Sequence, residues 1–94
     1  LIRRVQVETS GTPAQGPNIP VPRGYTVSVR QRHHTGTPTG RVAFRLSDVQ
    51  NTEPRSEIRD DKSISVKGLS NLDQVWLDSD TNTTNFELIV EYAG

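Results

Sequence analysis

The chain contains no cysteine, which excludes disulfides, thiolate metal sites and thiol redox chemistry. It contains no methionine either, so Leu1 is expected to follow a trimmed segment or a leader that the sequence does not include. Long hydrophobic runs are also missing. No stretch approaches the roughly 20 apolar residues that span a bilayer, and no signal-peptide pattern opens the chain, so a soluble protein without a membrane partner is expected. Aromatic residues are few: Trp76, Tyr25, Tyr92, Phe44 and Phe86. Apolar residues make up 31% of the 94 positions. Even with the seven glycines counted, that falls below the roughly 45–50% of an ordinary globular domain, which predicts one domain over residues 1–94 with a thin core. Burial against other subunits is expected to supply part of its stability.

What is present is charge, and it is unevenly placed. Residues 1–47 carry seven Arg and a single acid, Glu8, whereas residues 48–94 carry ten acids and four basic residues, so the formal net charge is zero. Such a split predicts complementary surfaces that join one copy to the next. Nine of the eleven cationic residues are Arg, whose planar guanidinium suits bidentate pairing at interfaces.

Wherever apolar residues cluster they alternate with polar ones at period two, the pattern of strands with one buried face. Six strands are predicted on this basis. Val5 and Val7 mark the first, Tyr25, Val27 and Val29 the second, and Val42, Phe44 and Leu46 the third. Ile64 and Val66 mark the fourth, Val75 and Leu77 the fifth, and Phe86, Leu88, Val90 and Tyr92 the last. No helix is predicted. Turn chemistry separates the strands: Thr35 to Gly40 as a hairpin loop, Asn51 to Arg59 as a longer polar loop, and Asp78 to Thr84 as a turn. Residues 11–23 hold four of the six prolines, which cannot donate to a ladder, so this stretch is expected as an extended Pro-rich N-terminal arm or an edge connection. The predicted class is all-β: a compact antiparallel β-sandwich or small barrel, with jelly-roll topology among the candidates.

The motifs that carry chemistry elsewhere have structural explanations here. Adjacent imidazoles such as His33 and His34 point to opposite faces of a strand. Asp78-x-Asp80-x-Asn82 resembles half a calcium loop, but Thr83 stands where the loop needs Gly and Ile89 where it needs Glu, so a turn is expected. Asp60-Asp61 diverges on a strand and reads as a solvated turn, and Asn82-Thr83-Thr84 matches a glycosylation sequon. No Gly-x-Ser-x-Gly elbow and no phosphate-binding glycine loop occurs. No catalytic residue, metal or cofactor is therefore assigned. Nucleic acid is not expected as a partner, because the charge is balanced and four of the five aromatics fall on core-facing strand positions. A carbohydrate-binding module is a competing reading, with Trp76 as its platform.

Trp76 and Ile89 break the alternation, each falling on the face opposite its strand's core residues. On one shared outer face they would form an apolar contact for a partner, and Trp is a frequent anchor of that kind. Coverage by a second sheet or by the arm would account for both equally well.

The runs Ser10-Gly11-Thr12-Pro13-Ala14-Gln15, Ile19 to Arg30, Thr39 to Phe44, Ser63-Ile64-Ser65-Val66, Asn71 to Asp78 and Phe86 to Tyr92 together resemble small β-rich structural proteins of tailed bacteriophages. Those are head decoration or cement proteins and modules of fibres or tails. The chain departs from their pattern at Ala43 and Arg45 and at Asp60-Asp61-Lys62. The resemblance implies a non-enzymatic component of the virion surface, made in the host cytoplasm, that forms a homo-oligomer and binds the major capsid protein or another virion scaffold. Taken with the charge split, it makes Arg3, Arg4, Arg23, Arg30, Arg32, Arg41, Arg45, Trp76 and Ile89 the candidate interface residues, with the segment 11–23 lying along a neighbouring subunit.

Overall fold

The computed structural model describes residues 1–32, 39–44, 56–58 and 62–92. His33, His34, Arg45, Leu46, Asp60 and Asp61, and with them much of the expected hairpin loop and of the polar loop, lie outside the described residues. The period-two segments form strands as their alternation requires. In chain order these are β1 (Ile2–Val7), β2 (Ala14–Gln15), β3 (Tyr25–Gln31), β4 (Gly40–Ala43), β5 (Ser56–Ile58), β6 (Ser63–Lys67), β7 (Trp76–Ser79) and β8 (Thr84–Tyr92). Two of them, β2 and β5, sit in stretches without alternation and were not expected as strands.

The strands build two antiparallel four-stranded sheets, ordered β1-β8-β3-β6 and β2-β7-β4-β5. The pairings follow one rule. β1 joins β8, β2 joins β7, β3 joins β6 and β4 joins β5, the ladder of a single long hairpin folded over between β4 and β5. Rolling that hairpin adds the contacts β3 to β8 and β4 to β7, and the result is a jelly roll. Odd-numbered strands run one way and even-numbered strands the other, so the sandwich has one end near Asn82 and another near Tyr92.

The core lies between the sheets. Phe86, Leu88, Val27, Val29 and Val7 from the first sheet meet Val42, Leu77 and Ile58 from the second, all essentially inaccessible to solvent. Burying each such side chain is worth roughly 1.5–3 kcal/mol. Val75 and Leu72 close the core at the Tyr92 end.

Residues 11–23 run as an edge connection bonded to their own domain. β2 pairs with β7, and beyond it Gly16 donates to Val75 O (2.9 Å), Val21 donates to Ser70 O (2.9 Å) and Leu72 donates to Ile19 O (2.9 Å). Ile19 and Val21 turn their N–H groups and side chains inward while Pro20 and Pro22, which have no N–H, face solvent. The segment docks on a single 3₁₀ turn, Leu72–Gln74, the one helical element among the described residues. A capping box sets that turn: Asn71 Oδ1 accepts from Asp73 N (2.9 Å) and from Ile19 N (3.1 Å), and Gln74 Oε1 accepts from Asn71 N (3.1 Å).

Candidate interface surfaces

Register determines where each candidate residue stands. On the outer face of the first sheet one cross-strand row reads Arg4, Glu87, Arg30, Ser63, and the next reads Ile2, Ile89, Ser28, Ser65. Arg32 follows on the same face, its backbone N–H donating to Asn85 O (2.9 Å). Glu87 is thus flanked by Arg on both neighbouring strands. Its side chain is 14% exposed and takes Arg30 Nη1 at 3.9 Å and Arg32 Nη1 at 3.4 Å. Half-exposed pairs of this kind are worth only about 0.2–1 kcal/mol each, so their main effect is to order the guanidinium groups. Three cations around one anion leave the face positive. Beside them Ile89 is half-buried and Ile2 is 57% exposed, while Ser28 Oγ and Ser65 Oγ share a hydrogen bond of 2.9 Å.

The second sheet's outer face carries Trp76 and Arg41. Trp76 stands between Gln15 of β2 and Ala43 of β4 and is half-buried there. The structure therefore separates Trp76 from Ile89, which lie on the outer faces of different sheets because β7 and β8 belong to opposite layers. They form no shared apolar spot. Arg41 lies across from Asp78 on one side and Glu57 on the other, with Nη1 3.8 Å from Asp78 Oδ2. Arg23 lies at the Tyr92 end, and Arg3 sits on the edge strand β1 with Nη1 donating to Ile2 O (3.1 Å).

This placement overturns the two-sided charge picture. The rolled hairpin lays every strand of the first half against a strand of the second, so the basic and acidic halves interleave within each sheet. Arg30 and Arg32 meet Glu87, and Arg41 meets Asp78, inside one copy of the chain.

The turn after β7 ties the sandwich shut at the Asn82 end. Asp78 Oδ1 accepts from Gly11 N (3.1 Å) and Ser79 N (2.7 Å), Asp80 Oδ1 from Thr39 N (3.0 Å) and Thr81 Oγ1 (3.0 Å), and Asn82 Oδ1 from Ser10 N (2.7 Å). The three acceptors tie the turn to itself and to two other segments, Ser10–Gly11 and Thr39, instead of converging on an ion. Thr83 takes the left-handed conformation here, at φ 61°, and Thr84 is buried with its Oγ1 donating to Thr81 O (2.8 Å). The sequon thus spends Asn82 and Thr84 on the turn. Among the described residues no group of three or more His, Cys, Asp or Glu is placed to hold a metal, and no helix is long and apolar enough to cross a membrane.

Two aromatics expected in the core are outside it. Tyr92 is 69% exposed and Phe44 38%: Tyr92 is the last residue of β8, and Phe44 stands in the bend just beyond the end of β4. With Leu1 and Ile2 they complete the set of exposed large hydrophobic side chains among the described residues, and all four lie toward the Tyr92 end. No family model, curated protein or solved structure matches the chain.

Proposed function

We propose that this chain is a non-enzymatic assembly module of a phage virion, a capsid decoration protein that seats the outer face of its first sheet on an acidic surface of the head shell and associates with further copies of itself. The observation that carries the reading is the pairing of Arg30 and Arg32 with Glu87 and the cross-strand placement of Arg4 beside it, which arranges an excess of positive charge next to the apolar pair Ile2 and Ile89 on one face. A charged rim of this kind orients and accelerates docking, and the desolvated apolar contact holds it. The jelly-roll pairing supports the reading at the level of architecture, since viral shells use that roll, as lectins and cupins also do. The test is immunogold labelling of purified particles with an antibody against this chain, repeated with Arg4→Glu and Arg32→Glu together. Label on the head with the native chain, lost with the double variant while the variant stays folded, is the expected result. Particles that carry no label end the proposal.

A further inference from the structure

The Tyr92 end holds a recess that the proposed assembly role does not use. It lies between residues 21–25 and 68–70, open to solvent, with a volume of about 310 Å³. That is the lower end of the roughly 300–1,000 Å³ of small-ligand sites. Two glycines with left-handed backbone shape it, Gly24 at φ 87° and Gly68 at φ 88°, and a side chain at Gly68 would project into empty space. Arg23 lines it. The guanidinium of Arg23 has no hydrogen-bond or ion-pair partner among the described residues, unlike those of Arg30, Arg32 and Arg41. Tyr25 also lines it and meets Tyr92 edge to face, with ring centroids 5.3 Å apart at 64°. The Tyr92 ring overhangs Gly24, whose added Cβ would come to 3.4 Å from Cε1, and that ring is the most exposed large hydrophobic group among the described residues.

We propose that this recess binds a carboxylate-bearing saccharide, its carboxylate paired with Arg23 and the C–H face of its ring laid on Tyr92. A free guanidinium offers two parallel N–H donors that match a carboxylate, which is the strong form of such a hydrogen bond. The face of an aromatic ring is electronegative, and the C–H bonds on one side of a pyranose present weakly positive hydrogens to it. The pairing of one cation with one exposed ring in a shallow cleft fits an acidic sugar better than a neutral one, which would leave Arg23 unanswered. This inference is independent of the virion reading and moves the sugar platform from Trp76 to Tyr92.

The experiment is titration of the labelled protein, followed by NMR, with glucuronic acid and N-acetylneuraminic acid, and in parallel with glucose, with an acidic tripeptide and with inorganic phosphate. Binding of the acidic sugars with a dissociation constant of about 1 mM, shifting the resonances of Arg23, Tyr25 and Gly68, is expected. Glucose should bind at least about tenfold more weakly, and Arg23→Ala and Tyr92→Ala should each weaken the acidic sugars by about tenfold, the span of 1.4 kcal/mol. Both positions are exposed, so both variants should keep the native spectrum elsewhere. Equal response to glucose and glucuronic acid, no response to either, or a response to the tripeptide or phosphate as strong as to the sugars, each overturns the proposal.

Discussion

Gly40 packs directly against the ring of Phe86: a Cβ on Gly40 would stand 2.7 Å from Phe86 Cε1 and 2.8 Å from Cζ, closer than two carbons tolerate, and would also run into Gln31 Oε1. Phe86 is wholly buried at the centre of the first sheet, so the ring has nowhere to retreat. Gly40→Ala is expected to cost about 1–3 kcal/mol, read as a fall in the midpoint of denaturation. Pairing it with Phe86→Leu should recover part of the Gly40→Ala loss; a Gly40→Ala variant as stable as the native chain would contradict this packing.

Asp78 is expected to matter more to stability than Asp80. Both accept two hydrogen bonds, but Asp78 is buried and also faces Arg41, whereas Asp80 is exposed and water replaces what it gives up. Asp78→Ala should cost about 1–3 kcal/mol through the donors left unsatisfied, and Asp80→Ala less than about 1 kcal/mol. Calcium should leave the thermal midpoint of the native chain unchanged, and a calcium-dependent rise would show that the turn is a metal site after all.

Because Trp76 and Ile89 occupy different sheets, Trp76→Glu and Ile89→Glu should act independently. Their double-mutant cycle should show a coupling below about 0.5 kcal/mol, both in stability and in any self-association measured by sedimentation. Strong coupling would place the two side chains in one contact.

Glu87→Gln removes the only anion among the described residues of a row that otherwise holds Arg4 and Arg30. The three neighbouring Arg then repel one another, and stability should fall by about 1 kcal/mol at low salt. Raising the ionic strength toward 1 M, where the screening length is about 3 Å, should return most of that loss. A deficit that ignores salt would mean Glu87 acts through packing and not through charge.

The strands that alternate were legible in the chain because period two reports a buried face directly. β2 and β5 were not, for a physical reason: Ala14–Gln15 and Ser56–Ile58 are strands only by virtue of what β7 and β4 offer them, and carry too few residues to show a period of their own. Parity counted Tyr92 and Phe44 as core-facing without revealing that Tyr92 stands at the very end of β8 and that β4 stops one residue before Phe44. The charge asymmetry was plain in the sequence, yet its meaning depended on topology. A fold that keeps its halves apart would have made it a dipole between faces, and a roll that pairs them turns it into register. The Arg23 recess has no local signal at all, since residues 21–25 and 68–70 meet only when β3 and β6 pair.

The first and last strands bond to each other, with Leu1 N donating to Val90 O at 3.2 Å across a separation of 89 positions. The first sheet therefore waits on partners far apart along the chain, and that search sets a refolding time nearer milliseconds to seconds than the microseconds of a helical bundle.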